Sequence, residues 1–243
     1  MSIKSLPFLY FKGRSSLDFN LIIRKKGTYN APERDVTRTS VAGRSGDLIT
    51  DNGRYFNISI PYDLTLLRQD ARPFNELVLN IKSWLYSETG YFELWDSYDA
   101  RYFRLASVNG GLNIEEEVHE LGSFTVDFDC KPFRYSFDGK KVSTIRRSGA
   151  TFINPELCES KPYIKIYGSG NINLYLNGKT FSFTNISEYI ELDSEIMCAY
   201  KGLELQNSKM SSDTFPIFVP GSNTITYNGN VDRIEIIPRW CSL

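Results

Sequence analysis

Apolar positions in this chain fall mostly at alternate residues in short runs, the pattern of strands with one buried face. Residues 3–11 and 17–24 read as the first two strands, with Gly13-Arg14-Ser15-Ser16 turning between them. Residues 55–62 form another, with apolar positions at Phe56, Ile58 and Ile60. The period then changes once. Across residues 73–87, Phe74, Leu77, Val78, Ile81, Trp84 and Leu85 recur at helical spacing, Pro73 suits the first turn and Gly90 closes the segment. This predicts an amphipathic helix whose Trp84 packs against a sheet. Strands resume at 91–95, 101–108 and 112–118, the last two joined across Asn109-Gly110-Gly111. In residues 123–129, Phe124, Val126 and Phe128 share one face and Asp127 and Asp129 the other. Lys131-Pro132 marks the end of a first domain, residues 1–135.

Residues 136–243 continue as short strands punctuated by turns at regular spacing, which predicts a β-sandwich. Asp138-Gly139 is a turn, 151–155 and 163–167 follow, and 172–176 and 179–183 flank Asn177-Gly178 as a two-residue hairpin. After strands at 189–192 and 198–200, residues 224–227 and 231–237 flank Asn228-Gly229-Asn230 and read as a closing hairpin. Pro238-Arg239-Trp240 stops the last strand.

One long stretch has neither period. Residues 25–54 are polar, basic and rich in Gly and Thr, with a brief apolar interlude at Leu48-Ile49. Nearly thirty residues exceed an ordinary connection, and their Thr and Val content suits an extended arm or long hairpin. An arm unable to bury itself locally lies on a partner. Arg34, Arg38, Arg44, Asp47, Leu48 and Ile49 are its candidate subunit-interface residues.

Charge sharpens that reading. The chain of 243 residues has a formal net charge of −1, so no global field draws nucleic acid or an anionic membrane to it. Yet residues 1–54 hold ten Lys/Arg against five Asp/Glu, and residues 55–135 hold seven against thirteen. Oppositely charged strands side by side in one sheet account for this split; a head-to-tail contact between complementary subunit faces is the alternative. Aromatic content of 14% favours sheets. Cys130, Cys158, Cys198 and Cys241 lie far apart with no CxxC pair, which predicts reduced, mostly buried thiols rather than a zinc site or a disulfide framework. No signal peptide and no run of membrane-spanning length is visible, so folding in the cytosol without membrane insertion is expected.

Candidate chemistry is sparse. His119 lies among glutamates with no Ser or Cys partner in a known arrangement, and reads as a solvated surface residue. Glu115-Glu116-Glu117 sends alternate carboxylates to opposite faces. Asp127 and Asp129 share a face, as a glycosidase or metal pair would, but half-exposed strands produce such pairs constantly. Gly43-Arg44-Ser45-Gly46-Asp47 lacks the Lys-Ser/Thr ending of a phosphate loop. Tyr163, Tyr167 and Tyr175 are the side chains that could stack on sugar rings. Neither catalysis nor a cofactor is expected; a carbohydrate-binding module is the competing class.

Separated pieces resemble, in order, the siphophage distal tail protein family. They are Val41-Ala42-Gly43-Arg44-Ser45-Gly46-Asp47-Leu48; Lys161-Pro162-Tyr163-Ile164-Lys165-Ile166-Tyr167-Gly168 with Asn171-Ile172-Asn173-Leu174; Ile190-Glu191-Leu192-Asp193-Ser194-Glu195; and a close of Phe215-Pro216, Pro220-Gly221-Ser222-Asn223-Thr224-Ile225 and Pro238-Arg239-Trp240. The resemblance implies a mainly β chain: an N-terminal sheet domain with one helix, tail-tube-like, plus a C-terminal galectin-like β-sandwich. It implies a virion tail tip protein, assembled in the host cytoplasm, that closes a homohexameric ring. Its partners would be the major tail tube protein, a tail-associated hub protein and a receptor-binding protein, with DNA passing through the channel without specific binding. A lumen that does not grip phosphate would be acidic or neutral.

Overall fold

The computed structural model describes residues 6–26, 30–67, 73–112, 114–118 and 121–243. The fold is mainly β with one α-helix among the described residues, and it divides into two compact units, Met1–Arg134 with Leu243 and Tyr135–Ser242. No described helix is long and apolar enough to cross a membrane.

The first unit contains β1 (Leu9–Phe11), β2 (Arg14–Ser15), β3 (Leu21–Lys26), β4 (Arg34–Thr39), β5 (Leu48–Tyr55), β6 (Ile58–Leu67), α1 (Phe74–Tyr86), β7 (Phe92–Asp96), β8 (Tyr102–Ser107), β9 (Glu115–Val118) and most of β10 (Leu121–Ser136). Its main sheet runs β2-β1-β7-β8-β10-β6-β3, with β9 paired to β10. The Ile23 N–H donates to the Pro7 carbonyl at 2.9 Å, so the sheet curls until β3 meets the chain entering β1. Leu9, Phe11, Leu21, Leu64, Leu66 and Phe128 fill the core of this unit.

The helical period is realised as expected: Leu77, Ile81, Trp84 and Leu85 are buried. Trp84 stacks on Phe19 with ring centroids 4.5 Å apart, and its indole N–H donates to the Phe11 carbonyl at 2.9 Å. Replacing Trp84 with Phe removes that hydrogen bond and is expected to cost about 1 kcal/mol in urea denaturation. The inward triad Phe124, Val126 and Phe128 is also buried.

Several boundaries differ from the sequence pattern. Residues 17–24 are not one strand: Ser16–Phe19 form a 3-10 turn before β3. The cause is a local capping box, in which the Leu17 N–H donates to Ser15 Oγ and the Ser15 N–H to Asp18 Oδ2, both at 3.2 Å. The turn placed at Gly13–Ser16 sits at Lys12-Gly13, whose φ angles of 50° and 75° suit a two-residue hairpin. Tyr55 ends β5, leaving Phe56 exposed, and β6 runs on to Leu67. The strand of 112–118 is shortened to β9, which pairs with β10 rather than with β8. Lys131-Pro132 does not stop β10; the strand carries on to Ser136.

The second unit adds β11 (Ser143–Ile145), β12 (Ala150–Asn154), β13 (Tyr163–Leu176), β14 (Lys179–Ile186), β15 (Tyr189–Asp193), β16 (Cys198–Lys201), β17 (Glu204–Leu205), β18 (Met210–Ser211), β19 (Gly221–Ile237) and β20 (Cys241–Ser242). The closing hairpin expected across Asn228-Gly229-Asn230 does not form, and neither does the break between 163–167 and 172–176. Instead β13 and β19 are two long antiparallel strands whose register shifts where Ser169–Asn173 faces Asn228–Asn230. On one side of the shift they pair with β11 and β15, on the other with β12 and β14. Two bent strands therefore pass through both layers of a β-sandwich, a corner made by bulges. Ile164, Ile166, Leu174, Phe181, Leu192, Ile225 and Ile234 fill the space between the layers.

Candidate subunit-interface arm

Residues 34–55 form a hairpin that stands apart from the main sheets: β4 and β5 pair only with each other. Six residues of β4 at the rise of an antiparallel strand give it a reach of about 20 Å. Its origin is fixed. The Phe56 N–H donates to the Glu33 carbonyl at 2.9 Å, and the Tyr55 ring packs edge-on to Phe133 of β10 at 5.8 Å.

Polar side chains rivet the half nearest that origin. Arg34 Nη1 donates to Asp51 Oδ2 at 2.5 Å, while its other nitrogen bonds the Tyr55 hydroxyl and its guanidinium lies 4.7 Å from the Tyr55 ring. Arg54 Nε donates to Asp35 Oδ2 at 2.6 Å, and Asn52 Nδ2 donates to Asp35 Oδ1 at 2.8 Å. These bonds leave their mark on acidity: the Asn52 amide and then Arg54 hold the Asp35 carboxyl low, and the Gly53 N–H and then Arg34 do the same for Asp51. Exposed pairs of this kind add little stability singly, but they hold the two strands in register.

The outer half is different. The register sets Arg38 opposite Ile49 and Thr39 opposite Leu48, so Arg38 and Ile49 share one face and Leu48 lies on the other. Arg38, Arg44 and Asp47 have no side-chain partner among the described residues, and Leu48 and Ile49 are 46% and 55% exposed. The turn places Gly43 and Gly46 at φ of 78° and 83°, and the Arg44 N–H donates to the Val41 carbonyl at 3.1 Å. A two-stranded ribbon is marginal in water, and here it carries apolar side chains and unpaired strand edges as well. Five of the six candidate residues thus lie free at the outer half; Arg34 is spent internally. Asp35, Asn52, Arg54 and Tyr55 were not singled out from sequence, where nothing marked them as cross-strand partners.

The other candidates are placed elsewhere. His119 lies outside the described residues, as do the side chains of Glu115, Glu116 and Glu117. Asp129 accepts from Asn57 Nδ2 at 3.0 Å, and Asp127 projects to solvent without sharing a partner with it. No group of three or more metal-ligating residues is arranged for a metal ion among the described residues. The four cysteines are free thiols; Cys130 and Cys241 are buried, Cys158 and Cys198 partly so. The tyrosines are engaged by their own sheet. Tyr163 donates to Glu191 at 2.5 Å, Tyr167 donates to Glu235 at 3.1 Å beneath an Arg233 guanidinium 3.5 Å from its ring, and Tyr175 accepts from Asn228 at 3.0 Å. A sugar stacking on Tyr167 has to displace that guanidinium.

No family model and no curated sequence matches the chain. Solved structures do. The Dit protein of SPP1, described as a paradigm of the hub adsorption apparatus in phages infecting Gram-positive hosts, superposes with a TM-score of 0.76 at 10% identity, over 98% of this chain and 100% of that one. A chain of the phage P2 baseplate in its activated, calcium-bound conformation matches with a TM-score of 0.50 at 10% identity, over 95% of this chain and 97% of that one. The chain shares, along its whole length, the fold of a phage hub protein.

Proposed function

We propose that this chain is the structural hub of a long, non-contractile phage tail tip. Six copies close a ring through head-to-tail contacts, joining the tail tube to the tail-associated hub protein and the receptor-binding apparatus. DNA passes through the ring, and no catalytic step is assigned to it. The observation that carries this reading is the arm: a hairpin with unpartnered charges and bare apolar residues, on a chain with the full-length fold of a hub protein. In a ring the outer half of each arm lies on the next subunit. Arg38 and Arg44 meet the acidic stretch of residues 55–135, where thirteen Asp/Glu oppose seven Lys/Arg, and Leu48 and Ile49 lose their exposure to water.

Light scattering with negative-stain imaging tests it. The expected solution mass is near six times 27.9 kDa, with ring-shaped particles. Replacing residues 40–47 by a two-residue Asn-Gly turn is expected to give a folded monomer. Arg38→Glu with Arg44→Glu is expected to weaken the ring, most visibly at low salt. A wild-type chain that stays monomeric with purified tail-tube protein present, and binds a cell-wall glycan instead, overturns the hub reading in favour of a carbohydrate-binding module.

A further inference from the structure

The first unit contains a cavity of about 340 Å³ that the ring reading does not use. It lies where the ends of β3 and β7 meet β6, β8 and β10, and charged side chains converge on it: Lys26, Asp96, Asp99, Arg104 and Arg134. Four of the five are matched within the protein. Asp96 is buried and accepts from the Tyr62 hydroxyl at 2.6 Å and from the Tyr98 and Asp99 N–H groups at 2.9 and 3.3 Å, and Lys26 Nζ lies 3.1 Å from it. Arg134 pairs with Asp99 at 3.5 Å and lies 4.4 Å from the Tyr102 ring.

Arg104 is the exception. Its Nη1 donates to the Pro132 carbonyl at 2.8 Å, and it forms no ion pair among the described residues. Its guanidinium is partly desolvated. Burial is the main reason its pKa lies below the ordinary arginine value, and the like charge of Arg134 lowers it further. A half-buried cation beside a second cation, with no carboxylate side chain paired to it among the described residues, is a costly arrangement that an anion relieves.

We propose that this cavity binds a small oxyanion of the phosphate or carboxylate type, held on the guanidinium of Arg104. A planar guanidinium suits such a group because two parallel N–H donors match two of its oxygens. Arg134 and Lys26 are spent on Asp99 and Asp96, so neither aspartate is left uncovered to repel an anion at Arg104. The volume lies at the small end of ligand pockets, which span about 300–1,000 Å³, so the site takes a single compact group rather than a nucleotide.

The test is thermal unfolding of the full chain titrated with sodium phosphate, sodium acetate and, at matched ionic strength, sodium chloride. A saturable rise in Tm with phosphate or acetate beyond the chloride control is expected, and the more effective salt identifies the oxyanion class. Arg104→Met is expected to weaken that response about tenfold or more, while Lys82→Gln, exposed on α1 and outside the cavity, keeps it. Should Arg104→Met not fold, the Arg104 Nε–Hε resonance of the unaltered protein decides: a saturable shift on titration supports the site. No rise beyond chloride, an equal rise in Arg104→Met, or an unmoved resonance overturns it.

Discussion

Gly229→Ala is expected to destabilise the second unit by about 3–5 kcal/mol, through backbone strain and a steric clash together. Gly229 has φ of +100°, and a Cβ there would stand 2.4 Å from the Asn171 carbonyl oxygen and 3.1 Å from the Ile172 Cα. Both obstacles are backbone of β13, at the point where the two long strands bend together. Neither can swing aside as a side chain would. Gly178→Ala is the matched control: its φ is +79°, but nothing lies within 4 Å of a Cβ there. It is expected to cost only about 1 kcal/mol, the backbone part alone. Urea denaturation of the two variants side by side reads the difference, and equal midpoints would mean that the strand crossing relaxes freely.

Arg239→Ala comes second, with an expected loss of about 2–4 kcal/mol. Arg239 closes a two-pronged bond on Asp193, Nη1 to Oδ1 at 2.7 Å and Nη2 to Oδ2 at 2.8 Å, with the Asp193 side chain 12% exposed. Truncation leaves a nearly buried carboxylate without its cation. The same bond sets a pH dependence. Burial acts to raise the Asp193 pKa, but the Arg239 fork and the N–H groups of Glu195 and Ile196 outweigh it, and the net shift is downward. With the folded pKa below the unfolded one of about 3.9, the stabilisation is complete above that value and fades as pH falls through the folded pKa. Asp193→Asn is therefore expected to be weaker than the unaltered protein at pH 7 and to lose less of its stability on acidification to pH 3. Denaturation midpoints at the two pH values check this; parallel losses would place the acid sensitivity elsewhere.

These two positions also show how far the chain could be read before its fold was known. Arg239 falls in a segment that carries the family resemblance and Gly229 between two of them, yet their partners, Asp193 and Asn171, are 46 and 58 residues away in sequence. Among the arm residues, the absence of burial was visible in the composition of residues 25–54. The division into a riveted half and a bare half was not, because it depends on the β4–β5 register and the shift between Arg34 and Val36. Arg104 was unremarkable for the same reason: one arginine in an alternating strand reads like any other until its lack of a carboxylate partner can be seen.

What the sequence determined by itself is whatever local periodicity and backbone preference settle. The helical stripe of α1, the inward face of β10 and the β-rich character of both halves follow from side-chain spacing alone. So does the Asn177-Gly178 hairpin, where both residues take positive φ, 50° and 79°. Asn228-Gly229 carries the same dipeptide with a different outcome: only the glycine has positive φ, and the chain bends without reversing and continues as β19. Asn-Gly permits a reversal or a bulge at similar local cost, so the choice passes to what lies opposite. The β13 bend at Gly168–Asn171 receives that bulge, Asn228 bonds Tyr175, Asn230 bonds Ser169, and both halves of β19 bury their apolar faces in one core. Only the tertiary structure decides between them, because those contacts exist only once distant strands have met.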